Sequence, residues 1–143
     1  MRRAAIAAQA AGLRLSVLIL LGLGGRERSV GHVSRTAEAL NRMQPRLLSA
    51  LRVIPVAGTE LGEEAADGRF RPVTEWEAVK EMRDILERLD LKSAVFRANH
   101  SSNVVPLEGR LPRDRERLLA ELDDLLASGE LDRKTPGPMP LWL

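Results

Sequence analysis

The residues best equipped for chemistry lie in VFRANHSSNVVPLEG, residues 95–109. Here Asn99, His100, Ser101, Ser102 and Asn103 stand in a row between the apolar pair Val95-Phe96 and the run Val104, Val105, Pro106 and Leu107. Asn, His and Ser side chains all bond readily to nearby backbone, so the row reads either as an ordered turn or as the rim of a site. Nucleophilic catalysis is poorly served, because His100 and Ser101 are neighbours in the chain and no third acid is at hand to orient the imidazole. Asn99-His100-Ser101 also fits the N-glycosylation pattern, which has a use only in an exported chain.

Two further stretches could approach a ligand. Gly22-Leu23-Gly24-Gly25 closes an apolar run, where glycine allows positive φ or lets a ligand reach the backbone. It is not a dinucleotide fingerprint, since that spacing needs a third glycine at position 27, which is Glu27. The second stretch, IPVAGTEL at residues 54–61, has Pro55 where a strand should end and Gly58 for a sharp exit. Arg52, between Leu51 and Val53, needs either an acidic or phosphate partner or a stem long enough to reach water.

The elements that must position these residues alternate. Residues 2–11 are strong helix formers stopped by Gly12. LRLSVLILLG follows as a strand expected to be buried on both faces. A helix over 29–43 places Val30, Val33, Ala37, Leu40 and Met43 on one face, and Pro45 ends it. A second strand is predicted over 47–56. Thr74 and Glu77 form a capping box for a helix whose apolar face is Trp76, Val79, Met82, Ile85, Leu86 and Leu89. A third strand covers 93–96. Pro112 then opens a last helix with Leu118, Leu119, Leu122, Leu125 and Leu126 on one face, ended by Gly129. Alternation of this kind predicts an α/β fold with about three parallel strands covered by helices. Its first helix has no strand before it, the pattern of a larger alternating fold entered partway. The proline-rich segment 130–143 is expected to be irregular, with Trp142 docking on the body.

Composition narrows the function classes. A chain of 143 residues has room for one core, which must be aliphatic because aromatics make up only 3%. Lys plus Arg number 22 against 20 Asp plus Glu, and the two signs interleave, as in RDRER at 113–117, which argues against a nucleic-acid surface. With no cysteine, the chain alone forms neither disulfides nor thiolate metal or cluster sites, and two histidines, His32 and His100, make a multi-histidine metal site a poor expectation. Arg2-Arg3 ahead of an apolar run imitates a secretory signal. However, Arg14 directly precedes the run, no cleavage pattern follows Gly25, and the run is far shorter than the ~20 residues that cross a bilayer. A cytoplasmic protein with no membrane span is expected.

Taken in order, LSVLILLGLGGRE, LRVIPVAGTEL and VFRANHSSNVVPLEGRLPRDRERLLAELD resemble the carboxyl-terminal half of the radical S-adenosylmethionine (radical SAM) enzymes, over nearly the whole chain to about residue 127. The resemblance implies a partial (β/α) barrel fragment over residues 1–129. In that family a [4Fe-4S] cluster held by three cysteines binds S-adenosylmethionine, whose cleavage yields a 5′-deoxyadenosyl radical. By this likeness Leu20, Gly22, Gly24 and Gly25 correspond to a strand-end motif packing on adenine, and Val56 and Ala57 offer it backbone hydrogen bonds. Arg52, Asn99, His100 and Asn103 would lie on the substrate side of the rim. The motif's usual acidic residue is displaced, since Gly25 stands in its place and Glu27 follows two residues later.

The cysteine loop is absent, so the cluster would have to come from a missing segment or a partner chain carrying those cysteines. The chain is therefore not catalytically self-sufficient on this reading. An alternative is a non-enzymatic remnant or interaction module that binds another chain, or itself, through an open sheet edge. A third is an independent nucleotide-binding α/β domain.

Overall fold

A computed structural model describes residues 2–133 of the chain. The elements, in order, are α1 (Arg2–Ala10), β1 (Ser16–Leu21), α2 (Gly25–Met43), β2 (Leu47–Arg52), α3 (Glu60–Ala66), α4 (Glu75–Arg88), β3 (Ala94–Arg97), β4 (Glu108–Leu111) and α5 (Arg115–Ala127). One sheet has the order β1-β2-β3-β4. β1 and β2 run parallel with Ser16 opposite Leu47, and β2 and β3 run parallel with Leu47 opposite Val95. β4 is antiparallel to β3, with Ala94 opposite Leu111. The molecule is thus a mixed α/β fold around a mostly parallel, open four-stranded sheet.

The fourth strand corrects the expectation of about three. EGRL alternates, with Glu108 and Arg110 outward, but it is four residues long and has a glycine at one of its two inward positions, so the pattern is too short to announce a strand. Gly109 favours close packing: a Cβ there would lie 3.1 Å from the Leu118 side chain, tighter than an ordinary contact, so α5 sits directly against β4.

The strands bury one face only. Ile19, Leu21, Leu48, Ala50, Ala94, Phe96 and Leu111 point to the helices and are buried, while Ser16, Arg97, Glu108 and Arg110 lie on the opposite face and are exposed. Leu18, expected inside a doubly covered strand, is 56% exposed. α2 packs on α4 and α4 on α5, and their Val33, Ala37, Leu40, Val79, Met82, Ile85, Leu86, Leu118 and Leu122 complete the core.

Several boundaries differ from the sequence reading. α2 starts at Gly25, four residues before Ser29, and its Val30 is 84% exposed because the core-facing stripe is Val33, Ala37, Leu40 and Met43. β2 ends at Arg52, where its pairing with β1 ends; its pairing with β3 stops earlier, at Ser49. α3 was not foreseen. It is a short helix capped by Thr59, whose hydroxyl accepts from the Gly62 amide at 3.1 Å. Trp76 is 42% exposed and donates from Nε1 to the Leu126 carbonyl instead of entering the core. α5 starts at Arg115, three residues after Pro112.

Other local signals read as expected. The Thr74–Glu77 capping box has both arms in place, and Gly12 and Gly129 both have positive φ. Residues 134–143, Trp142 included, lie outside the described residues. The start of the tail is tied down: Asp132 accepts from the Glu75 amide at 2.7 Å, and Glu75 accepts from the Asp132 amide at 3.0 Å. No described helix is long and apolar enough to cross a membrane.

Asp114 joins β4 to α5. Its carboxylate accepts from the Arg113 guanidinium at 2.6 and 3.0 Å and from the Arg110 amide at 2.8 Å. These bonds, Arg113's first, hold its pKa far below the usual carboxylate range. A depressed folded pKa means the unfolded chain takes up this proton first as pH falls, so the stabilisation is complete above the usual carboxylate range and is lost on acidification through it. Asp114→Asn should therefore flatten the acid arm of the stability curve, read as the urea midpoint between about pH 6 and about pH 2. An acid arm unchanged by the substitution would refute this.

Candidate functional site

Because β1, β2 and β3 are parallel neighbours, the chain leaves all three at one edge of the sheet. Gly22 to Gly25, residues 53–58 and residues 98–103 therefore converge there. Direct bonds join them. The Val53 amide donates to the Leu21 carbonyl at 2.9 Å, the Arg52 amide to the Ser102 hydroxyl at 3.2 Å, and Asn103 Nδ2 to the carbonyls of Ala50 and Ala98 at 2.8 and 2.9 Å.

The NHSSN stretch works at this edge as a side-chain extension of the sheet. Where β2 and β3 part, Ser102 and Asn103 take over the backbone groups of β2 that a longer β3 would have bonded. His100 fixes the turn. The Ser102 amide donates to His100 Nδ1 at 3.1 Å, making Nδ1 the acceptor and placing the proton of the neutral ring on Nε2. The Ser102 hydroxyl is 2.8 Å from the same nitrogen, and Ser102 is buried. The His-Ser contact thus forms with Ser102, two residues away, where sequence reasoning had weighed Ser101. With its oxygen committed to the Arg52 amide and its proton to His100, Ser102 is a turn anchor. Asn99 and His100 are themselves exposed.

The glycine turn is shaped from below. Gly22 has φ +77, and a Cβ on it would lie 2.5 Å from Val73 Cγ2; Gly25 has φ +63 and lies under the Arg71 carbonyl. Both need glycine for conformation and for closeness. The amides of Gly25 and Arg26, at the start of α2, are already bonded to the carbonyls of Gly22 and Arg71. Two donors that an anion would otherwise use at a helix start are therefore engaged. A concavity of about 320 Å³ beside the turn is lined by Leu23, Gly24, Glu27 and Arg28, with Leu61, Glu64, Arg69 and Phe70 opposite.

Sequence reasoning missed Glu81. This α4 residue is 1% exposed, and its carboxylate accepts from the Gly22 amide at 2.7 Å and the Ser29 hydroxyl at 2.6 Å. A glutamate on the apolar face of α4 between Val79, Met82 and Ile85 was the available signal, since a buried carboxylate must find donors.

The remaining sequence-derived residues are placed as follows. The Leu20 carbonyl accepts from His32 Nε2 at 3.0 Å. The Val56 carbonyl is taken by the Thr59 amide and hydroxyl at 3.2 and 2.7 Å, while Ala57 is exposed. Arg52 neither finds an acid nor simply reaches water. Its Nη2 donates to the Val73 carbonyl at 3.1 Å, and its Nε is buried without a partner. Asn103 Oδ1 is likewise buried and unpartnered. Among the described residues these two side-chain atoms, a donor and an acceptor at one edge, are the buried polar atoms left open. No group of three or more His, Cys, Asp or Glu side chains among the described residues is arranged to hold a metal.

Glu81→Ala should destabilise the fold by about 3 kcal/mol, because it strips a buried amide and a hydroxyl of a charged acceptor. Ser29→Ala, which removes one donor of the two, should cost about half as much. Urea denaturation of both variants measures the ratio, and equal, negligible losses would remove Glu81 from its role at the turn.

Compared with known proteins, this chain matches no family model, no curated protein and no solved structure.

Proposed function

We propose that this chain is the carboxyl-terminal part of a radical SAM-like partial barrel. On this reading its strand-exit rim forms one wall of a site for S-adenosylmethionine, and chemistry awaits a segment or partner that carries cysteines. The observation that carries the reading is connectivity. β1, β2 and β3 are consecutive, adjacent and parallel, and α2, α4 and α5 cover one face. A doubly wound nucleotide-binding fold reverses its strand order and covers both faces, whereas a barrel winds in one direction and keeps its helices outside. The uncovered face alternates Ser16, Leu18 and Leu20 on β1 with Leu47, Ser49 and Leu51 on β2, and carries Arg97, Glu108 and Arg110 on β3 and β4. That mixture suits the wall of a ligand-holding lumen.

The iron-sulfur cluster does not fit the residues present, because the sequence has no thiolate to ligate it. The nucleoside part of the cofactor fits better. The unpartnered Asn103 Oδ1 and Arg52 Nε leave one acceptor and one donor open in residues of this rim, the two group types that an adenine amine and ring nitrogen need. Gly22 and Gly24 allow close approach, and Ala57 is exposed at the neighbouring exit.

A second reading, an interaction module, is favoured by one observation. Among the described residues no strand lies on the outer side of β1, and Leu18 in it and Leu23 just past it are exposed, beside an apolar concavity that reaches Ala39 and Met43. An uncapped edge of this kind pairs with another chain or with a second copy.

Titrating the labelled chain with millimolar S-adenosylmethionine and following backbone amide resonances tests the first reading. Shifts should gather at Gly22, Gly24, Ala57, Ser102 and Asn103, and Arg52→Met should abolish them. The reading falls if those resonances stay still, or if ATP and NAD shift them equally. Concentration-dependent sedimentation reports on the β1 edge separately.

A further inference from the structure

The opposite edge of the sheet holds the larger concavity, about 580 Å³, lined by Gln9, Gly12, Leu13, Arg14, Arg46, Ser93, Ala94, Val95, Arg110 and Leu111. Among the described residues three that bear a guanidinium border it, and no Asp or Glu does. Among the described residues none of Arg14, Arg46 and Arg110 makes a side-chain ion pair, although arginines elsewhere, such as Arg26, Arg42, Arg83 and Arg117, do. All three are exposed and therefore available.

Their backbones are held by separate, rigid parts of the fold. The Arg46 amide donates to the Leu15 carbonyl at 2.8 Å and its carbonyl accepts from the Val95 amide at 2.9 Å, which fixes it between β1 and β3. Arg110 lies in β4 opposite Val95, with its amide bonded to Asp114. Arg14 lies on the link from α1 to β1, and α1 is fastened to the end of α2 by Gln9 Nε2 donating to the Met43 carbonyl at 2.6 Å. α1, α2 and α4 end at this edge and α5 begins there, each terminus contributing roughly half a charge, negative at an end and positive at a start. Together these termini offset about one of the three positive charges and leave a clear excess.

We infer that this concavity is an anion site that takes a small ligand carrying two linked phosphoryl groups. Guanidinium forks match phosphate oxygens in pairs, and cations gathered from three elements repel one another until an anion lies between them. Among the described residues no aromatic side chain lines the concavity, so recognition falls on the phosphates and these residues give a base nothing to stack on. The site is at the other edge of the sheet from the strand-exit rim. It therefore stands independently of the S-adenosylmethionine reading.

Calorimetric titration of the full chain with inorganic diphosphate tests the inference, with inorganic phosphate, sulfate, citrate and a short single-stranded oligonucleotide as comparators. Diphosphate should bind saturably and at least tenfold more tightly than phosphate or sulfate. Arg46→Gln and Arg110→Gln should each weaken it about tenfold, and Arg83→Gln, a paired arginine in the middle of α4, should leave it unchanged. Because the three arginines are exposed, the variants should fold, which circular dichroism checks. Absence of saturable diphosphate binding, affinity that follows ligand charge alone, tighter binding of the oligonucleotide, or insensitivity to both concavity variants would each overturn the inference.

Discussion

The placement of the strand-exit rim depends on one buried carboxylate. Glu81 is the contact through which α4 holds the β1–α2 turn, by bonds to the Gly22 amide and the Ser29 hydroxyl. A charge taken out of water is tolerated only when its lone pairs are filled, so the turn and the helix fix each other. Gly22 closes the arrangement, because a side chain there would collide with Val73, whose carbonyl in turn holds Arg52. Four segments distant in sequence are thus linked through a single small region. Glu77, one turn before Glu81 on α4, reinforces it by capping Thr74 at 2.7 Å and bonding the Arg26 guanidinium of α2 at 2.7 Å with the same oxygen.

One-sided burial of the sheet follows from the same packing. α2, α4 and α5 lie side by side on one face, and Phe96, Leu48 and Leu21 fill the space beneath them. The chain therefore leaves half of each strand's side chains outside the core. Where β2 and β3 diverge, the fold meets its backbone obligations with Ser102 and Asn103 instead of more strand. This economy leaves the Asn103 oxygen and the Arg52 Nε buried yet bonded to nothing among the described residues. Buried polar atoms without partners are uncommon enough to need an explanation, and a ligand or an ordered water is the simplest one.

What could be read from the sequence was local. The Thr74–Glu77 box, the glycines after α1 and α5, and the leucine stripe of α5 are each set within about one or two helical turns, and all of them are present in the structure. What could not be read was set by distant partners. Leu18 looks like a core residue in SVLILL, and only the absence of a helix layer on its side makes it a surface residue. EGRL becomes a strand because β3 offers it an edge and Gly109 lets α5 approach, neither of which is visible in four residues. Glu81 meets Gly22 across 59 positions of sequence. The rim was anticipated as a meeting of three strand exits because parallel alternation dictates it, whereas the bonds that hold it depend on which side chains happen to face each other.

The two edges of the sheet have opposite electrostatic characters, and the helices explain why. α2 and α4 begin at the strand-exit edge and end at the other, so their dipoles favour negative charge at the first and positive charge at the second. At the exit edge that preference is already met from within the chain. Glu81 and Glu77 occupy the helix starts, and the amides of Gly25 and Arg26 are bonded. An added anion would find few open donors there and two carboxylates close by, whereas a neutral base or a cationic sulfonium meets no such opposition. At the other edge the helix ends attract arginines, and the fold supplies more of them than two dipoles balance. The parallel pair α2 and α4 thus sorts ligand charge by edge, with α5 running antiparallel beside α4, and the chain's own carboxylates decide which edge remains receptive to anions.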